Sequence, residues 1–202
     1  MAGPRRQSSR YRLGAAALIG CVAMLASGPQ ALAGNDTLEY DVKAAYLSKF
    51  GNFIAWPPSA FASTESAVNL CIAGKDPFGS SLETAVAGHR IGDRPIVVRH
   101  LTEISGSPGC QILFVGGSDP RSIAQILAKA AGAGVLTVAD SASSDDVPSI
   151  IRFVIRDDHV RFAIDDDAAS RNGITVSSKL LSLAFSVTPR KPGGTAGEPA
   201  HE

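Results

Sequence analysis

Four short, mostly apolar runs constrain the fold of this chain more than any other feature of its sequence. Runs this short and this apolar are typical of strands buried in a parallel sheet, whereas an amphipathic helix needs a longer pattern. The runs are Val68–Ala73, Ile96–Val98, Ile112–Val115 and Val135–Val138. The chain of 202 residues shows no shift in composition that would divide it, so we expect one α/β domain built around such a sheet.

A helical pattern separates the third and fourth runs. One face of this predicted helix carries Ile123, Ile126, Leu127 and Ala130. Ser118 or Asp119 is placed to cap its first turn, and Pro120 suits the first helical position. The order strand, helix, strand predicts a right-handed parallel crossover.

The stretch Leu38–Pro57 has a helical period and predicts a helix of about five turns. Asp36 or Thr37 is expected to cap it, and the prolines that follow Trp56 forbid its continuation. The predicted apolar face consists of Val42, Tyr46, Phe50 and Phe53, while Lys43, Ser48 and Asn52 fall elsewhere. Trp56 is expected either to close an edge of the core or to anchor a partner.

The C-terminal third predicts a hairpin and two helices. Ile150–Ile155 and His159–Ile164 alternate as paired strands do. The carboxylates of Asp165–Asp167 lack the later Glu and central Gly of a calcium loop, so we expect them to cap a helix and not to hold a metal. A last helix, running to Phe185, is expected to be largely buried. Residues 188–202 contain no large apolar side chain and predict a disordered tail.

The first 33 residues have the pattern of a secretory signal peptide. Four arginines precede an apolar run, and Ala31-Leu32-Ala33 forms a small-x-small cleavage site. The folded domain would then span residues 34–187 in the periplasm. Two alternatives stay open: lipidation of Cys21, which lies within the apolar run, and a single-pass anchor, for which the run is short.

Cysteine usage agrees with export. After the predicted cleavage only Cys71 and Cys110 remain, each at or beside a predicted strand. In an oxidising compartment this favours a disulfide that closes a loop of 38 intervening residues. The alternative is a pair of buried thiols.

Charge and motif patterns exclude several function classes. Removing the leader takes away four of the 19 basic residues and none of the 19 acidic ones, which leaves 15 against 19 and a net charge of −4. No basic cluster remains to bind nucleic acid. The four histidines have no metal-ligand spacing, and no nucleophile elbow is present. We therefore expect no enzyme, no metal site and no cofactor.

Glycines at two strand ends are the candidate small-ligand residues. Gly74 ends the first apolar run, and Gly116-Gly117 ends the third, ahead of a helix start. Such positions in α/β sheets can hold a small ligand. A simple tight turn is the alternative reading. A phosphate loop is not indicated, because no Lys-Ser or Lys-Thr follows Gly79.

Several motifs, taken in order, resemble the YfiR-like family of periplasmic proteins. The matching stretches are Val42–Leu47 with Phe50, Phe53 and Trp56-Pro57, Leu70–Ile72 with Gly74 and Asp76–Phe78, Cys110, Val135–Val138, Phe162-x-Ile164, Gly173-Ile174 and Ser177–Leu181. The resemblance extends from about Leu38 to Val187. It implies a three-layer α/β fold, often dimeric, and its cysteine pair matches Cys71 and Cys110.

The resemblance also implies a function. Proteins of this kind hold an inner-membrane diguanylate cyclase inactive by binding its periplasmic sensor region. We therefore interpret the chain as a periplasmic repressor, with the periplasmic domain of a cyclase or sensor kinase as its partner. An exposed apolar patch would be needed, and its candidates are Trp56, Phe162, Ile174 and Leu181. The alternative function is a periplasmic receptor for a small ligand.

Overall fold

The computed structural model describes Gly3 and residues 31–102, 109–140 and 147–191. The elements below belong to one compact unit that starts at Ala31. Most of the predicted signal peptide, the lipidation alternative at Cys21 and most of the predicted tail lie outside the described residues. Where the structure describes the chain, no helix is long and apolar enough to cross a membrane.

Among the described residues, eight strands form one sheet and two short strands form a separate ladder. The strands are β1 Ile54–Ala55, β2 Val68–Gly74, β3 Arg90–Ile91, β4 Arg94–Leu101, β5 Ile112–Gly116, β6 Leu136–Ala139, β7 Ile151–Arg156, β8 His159–Asp165, β9 Thr175–Val176 and β10 Ser186–Thr188. The helices are α1 Ala31–Phe50, α2 Ser81–Val86, α3 Pro120–Lys129, α4 Asp166–Arg171 and α5 Ser178–Leu181. Short 3-10 turns cover Gly51–Phe53 and Pro58–Ala60.

The large sheet is mixed and mostly parallel, as predicted. Its order is β10-β8-β7-β6-β5-β2-β4-β3, and only the β3–β4 and β7–β8 pairs are antiparallel. The β7–β8 hairpin turns through Asp157 and Asp158, whose φ angles of 51° and 58° suit the tight turns that match strand twist. The α/β fold with a C-terminal hairpin is confirmed.

The strand order reverses at β2. From β2 the chain moves to β4 on one side, and it then returns to β5 on the other side, with β6 and β7 beyond. The predicted crossover is confirmed as β5, α3 and β6, with β5 and β6 parallel. Asp119 caps α3 by accepting hydrogen bonds from two backbone N–H groups, and Pro120 begins the helix. A reversal of this kind leaves a crevice at the carboxyl ends of the two strands concerned.

Helices cover both faces of the sheet and enclose two core clusters. The larger cluster joins α1 and α2 to one face through residues such as Leu47, Phe50 and Phe114. The smaller one places Ile123 and Leu127 of α3 against the other face. Alternate residues of β2 therefore point into different clusters, which is why this strand is apolar along its length.

Helix α1 ends earlier than the sequence indicates. It stops at Phe50, and Ile54–Ala55 pairs with β9, far along the chain. The helix also begins before Asp36 and Thr37, so these residues do not cap it. The prolines after Trp56 predict a later end, but the pairing of Ile54–Ala55 with β9 ends the helix first.

The predicted buried face of α1 is partly wrong. Lys43 and Ser48 are buried, while Val42 is exposed. Tyr40, Lys43, Leu47 and Phe50 form the inward stripe, at steps of three, four and three. The observed buried face of α1 is rotated about the helix axis by about one residue, or about 100°, relative to the predicted face, because Lys43 holds an inward position. Its partners are described below.

The end of the chain also differs from the prediction. Helix α5 is one turn long, and Leu183 and Phe185 are 61% and 55% exposed instead of buried. Residues 186–188 form β10, which extends the sheet in parallel with β8. All three residues of β10 are exposed, and three residues are fewer than the four to eight over which alternation predicts a strand. Asp165 caps α4 through Ala168 N–H, at 2.7 Å, as predicted.

The predicted disulfide is present. Cys71 in β2 is bonded to Cys110, which lies just before β5, and the two Cα atoms are 5.9 Å apart. Both residues are buried in the smaller cluster with α3. The bond ties together two neighbouring parallel strands.

Candidate functional site

A cavity lies at the carboxyl edge of the sheet, where the strand order reverses. It has a volume of about 620 Å³ and is bounded by the first half of α1, the loop after β2, and the residues that follow β5 and β6. We call it the switch-point cleft. In open α/β sheets, ligands bind in crevices at this position.

The glycines predicted to bind a ligand lie beside the cleft, but two of them meet each other. Gly74 and Gly116 are register partners in β2 and β5. A Cβ at Gly74 would lie 2.3 Å from the Gly116 carbonyl oxygen, and one at Gly116 would lie 2.0 Å from the Lys75 carbonyl oxygen. The close approach of the two backbones explains why both positions are glycine. Gly117 lies in the cleft lining.

The wall formed by α1 contains a buried ion pair. Lys43 is fully buried, and its Nζ contacts the carboxylates of Asp140 and Glu39. Asp140 follows the last residue of β6, and its side chain is 3% exposed. Burying a charge is costly unless it is paired and hydrogen-bonded. The inward position of Lys43 is therefore tolerated because strand β6 brings a carboxylate to it.

Tyr40 completes this polar cluster. Its hydroxyl donates a hydrogen bond to Asp140 Oδ2 at 2.8 Å, and its ring lies 4.4 Å from Lys43 Nζ. Burial, followed by the adjacent Asp140 carboxylate, raises the pKa of the Tyr40 phenol above its ordinary value. Tyr40 therefore remains a donor at neutral pH.

The opposite wall is the loop after β2. Asp76 accepts a hydrogen bond from Phe78 N–H at 2.8 Å and lies 2.8 Å from His100 Nε2. Phe78 is buried and packs edge-on against Tyr40, with ring centroids 5.7 Å apart. Within the described ranges, no group of three His, Cys, Asp or Glu side chains is placed to hold a metal ion.

A second surface feature lies at the far edge of the sheet. Leu183, Phe185 and Val187 are 61%, 55% and 39% exposed, and they flank or belong to β10. Phe185 N–H donates to the Phe162 carbonyl, and the Arg156 guanidinium lies 5.2 Å from the Phe185 ring centroid. We call Leu183–Val187 the apolar edge.

The structure corrects two of the predicted partner residues. Phe162 and Ile174 are 3% and 1% exposed, because both belong to the core cluster under α1. Trp56 and Leu181 are partly buried against the same cluster. The Trp56 ring packs edge-on against Phe61, with centroids 6.1 Å apart. Their contact with a partner stays a prediction.

Sequence reasoning did not identify Tyr40, Lys43 and Asp140 as a cluster. A signal was present, because Asp140 directly follows an apolar strand and Lys43 lies three residues from Tyr40 and four from Leu47. Only the folded structure shows that the two segments meet, since 97 residues separate Lys43 from Asp140.

The sequence model of the YfiR/HmsC-like family matches residues 40–185, well over half of the chain. The matched segment begins at Tyr40 in the cleft wall and ends at Phe185 in the apolar edge. Proteins of this family are periplasmic, and they are regulators of diguanylate cyclases and not enzymes. The order of motifs, the disulfide and the mostly parallel sheet agree with that match, and the chain belongs to the YfiR/HmsC-like family.

Proposed function

We propose that this protein represses a membrane-bound diguanylate cyclase, or a related sensor protein, by binding its periplasmic region. The observation that carries the proposal is the family match across residues 40–185. A signal peptide at residues 1–33 would deliver the chain to the compartment in which that region is accessible. The resemblance also implies a homodimer, which we keep as part of the proposal.

The apolar edge is the surface best suited to the partner. Its side chains are exposed, and large exposed apolar groups close together mark interaction sites. Phe185 is an aromatic residue beside an arginine, and both types are enriched in the residues that dominate binding energy. Trp56 and Leu181 are proposed as further contacts.

A pull-down tests the proposal. The immobilised chain should retain the purified periplasmic region of a cyclase encoded by the same organism, and co-expression should lower cellular cyclic di-GMP. The variant Phe185→Ser should weaken both effects at least tenfold, as loss of a central aromatic anchor does.

Val97→Ser is the matched control. Val97 is also an exposed apolar residue, at 43%, but it lies in β4, near the opposite edge of the sheet. It should leave binding unchanged. If no cyclase region is retained and cyclic di-GMP does not respond, the repressor function is wrong. Equal losses in both variants would instead rule out the apolar edge as the contact.

The second candidate function is a periplasmic receptor for a small ligand. The switch-point cleft favours it, because its volume of about 620 Å³ falls in the range of ligand pockets and its position is the usual one in α/β sheets. Both functions can coexist if a ligand shifts the equilibrium between free and partner-bound protein. Mass spectrometry of small molecules released from protein purified without denaturation tests the receptor function. The control is a Gly117→Trp variant, in which the added ring fills the cleft. Recovery of no small molecule above the level found in this variant would argue against the receptor function.

A further inference from the structure

We propose that the outer edge of strand β4 binds an extended, acidic segment of a partner protein as an added strand. This surface and the apolar edge lie at opposite edges of the sheet, so the inference goes beyond the proposed function. It stands on two observations made within the described residues. Backbone groups of β4 have no partner strand, and the arginines beside them have no partner carboxylate.

The first observation is that strand β3 covers only the beginning of β4. The two strands pair only at Arg94 and Pro95 of β4. On its other side, β4 pairs with β2 along Ile96–Leu101. The outer side of Ile96–Leu101 therefore has no neighbouring strand in the part of the chain that the structure describes. An uncovered strand of this length is a template for another extended chain.

Hairpin geometry shows which backbone groups face outward. A turn of two residues joins β3 to β4, and in such a hairpin the flanking residues, Ile91 and Arg94, exchange both backbone hydrogen bonds. The N–H and C=O of Arg94 therefore point away from β2. Because this direction alternates along a strand, those of Ile96, Val98 and His100 also point away from β2, and they bond to no other described residue. We call the outward backbone groups of these last three residues the free edge.

Two features that often close a strand edge are absent from the described length of β4. A proline removes an N–H donor, but the nitrogen of Pro95 faces the side of β2 and precedes the free edge. A bulge twists an edge away, but the register of β4 with β2 runs without interruption from Ile96 to Leu101. The free edge can therefore form a regular ladder with an added strand.

The second observation is the state of the arginines in the β3–β4 hairpin. Arg90, Arg94 and Arg99 form no ion pair with a described carboxylate. Arg94 donates instead to the carbonyl oxygens of Ser63 and Ser66, at 2.9 and 2.6 Å. Carbonyl groups leave the positive charge of a guanidinium in place, so it remains available to a carboxylate.

The charge of the hairpin selects the chemistry of the added strand. Three arginines against one carboxylate, Asp93, give residues 90–101 a formal charge of +2 with neutral histidine. Residues 103–108, outside the described ranges, contain a single carboxylate, Glu103, which is too few to cancel it. His100 already contacts Asp76, so the exposed Arg99, between two residues of the free edge, is the principal charge. Carboxylates of an added strand would lie opposite it.

Three heptapeptides with blocked ends are the probes. The first alternates valine with glutamate, the second alternates valine with lysine, and the third is the acidic peptide with N-methyl groups at alternate residues, prepared in both frames. Binding to the purified chain is measured by fluorescence polarisation in about 0.15 M salt. We expect saturable one-to-one binding of the acidic peptide. The basic peptide should bind at least tenfold more weakly, and so should the peptide methylated in the frame that faces β4, because it lacks the N–H donors of the ladder.

Amide hydrogen exchange locates the bound peptide. The acidic peptide should slow the exchange of the N–H groups of Ile96, Val98 and His100, and it should leave those of Ser186 and Thr188 in β10 unchanged. Slowed exchange in β10 alone would place the peptide at the other edge and reject the proposal. Protection of the free edge without peptide, rising with protein concentration, would show that a second copy of the chain occupies it, and this too rejects an acidic partner.

Two pairs of variants separate the backbone from the charge. His100→Pro removes one outward N–H without touching the ladder with β2 and should weaken binding at least tenfold, whereas His100→Ala keeps that N–H and should bind as wild type does. Arg99→Glu should also weaken binding at least tenfold. Arg161→Glu is its control, because Arg161 is exposed in β8, near the other edge of the sheet. Thermal melts check that each variant is folded.

Four results overturn the proposal: no saturable binding of the acidic peptide, equal binding of the basic one, no loss on N-methylation in either frame, and equal affinities of the Arg99 and Arg161 variants. Retention of the cyclase region is measured without these peptides. The repressor function is therefore decided separately.

Discussion

The switch-point cleft and the apolar edge differ in the kind of group that each buries or exposes: the cleft wall buries charged side chains, and the edge exposes apolar ones. The cleft wall buries Lys43 and Asp140 at the boundary of the core, whereas the edge leaves Leu183 and Phe185 exposed to solvent. A buried pair is costly to assemble and costly to break, so it fixes one geometry. Exposed apolar groups have little effect on the stability of the monomer, but their burial against another surface lowers the free energy of the complex. On the basis of this contrast we propose the cleft for a small solute and the edge for a protein.

Removal of Lys43 tests the cleft side of the contrast most strongly. Lys43→Met should lower the free energy of unfolding by about 3–5 kcal/mol, because it leaves a buried Asp140 carboxylate without its cation. Denaturant unfolding measures the change. Lys49→Met, at an exposed position of the same helix, should stay within about 0.5 kcal/mol of wild type. A loss below 1 kcal/mol for Lys43→Met would mean that apolar packing alone holds this wall.

Removal of the disulfide should have a similar but slightly smaller effect. Replacing Cys71 and Cys110 together by Ala should cost roughly 3.5 kcal/mol, the loop entropy released when the crosslink of 39 residues is lost. Unfolding of oxidised and substituted protein gives the difference. The prediction fails if denatured, unreduced wild-type protein titrates with two free thiols.

Asp119→Ala should produce a smaller loss that depends on pH. The Ser122 hydroxyl, followed by the backbone N–H groups of Arg121 and Ser122, holds the pKa of Asp119 below its ordinary value. A carboxyl group whose pKa is lower in the folded state stabilises the fold above its unfolded pKa of about 3.9, and this stabilisation is lost as the pH falls through the folded pKa.

The wild type should therefore melt at a higher temperature than Asp119→Ala at pH 7. The difference in melting temperature should shrink as the pH falls below the unfolded pKa of about 3.9 and through the lower folded pKa of Asp119. Thermal melts across the pH range measure it. A difference that is constant with pH would show that the charge of Asp119 does not contribute.

The smallest change in stability is expected at the apolar edge. Replacing Leu183 and Phe185 together by Ser should shift the free energy of unfolding by no more than about 0.5 kcal/mol, because exposed side chains lose little on truncation. Repression of the cyclase should nevertheless be lost. A large destabilisation would identify the edge as part of the core, and the contrast with the cleft would disappear.

The parts of the fold that sequence patterns predicted are those that neighbouring residues determine. The apolar runs of β2, β5 and β6, the cap at Asp119 and the turn at Asp157-Asp158 are each encoded within a few residues. The rotation of α1 was missed because it depends on Asp140, which lies 97 residues from Lys43. No local pattern distinguishes a lysine on an exposed face from one that has a buried partner.

The same division applies to the candidate site. The glycines at strand ends lie at the edge of the sheet where the cleft is found, but Gly74 and Gly116 approach each other, and of the three predicted residues only Gly117 lines the cleft. Among the partner residues, Phe162 and Ile174 proved to be core, because apolar character alone does not determine exposure. The apolar edge was missed because a buried final helix was expected where the chain forms one turn and then β10.

Among the described residues, strand β10 is both the last strand along the chain and the outermost in its sheet. It can therefore peel away from β8 without breaking a ladder between any other two strands, and its amide protons should exchange with solvent faster than those of β2 or β5. A reporter or affinity tag fused after Lys191 would begin only a few residues beyond this strand. Fusions at that end would thus crowd the apolar edge, the surface that we propose binds the partner, and an internal label at a remote loop is the better choice for measuring repression.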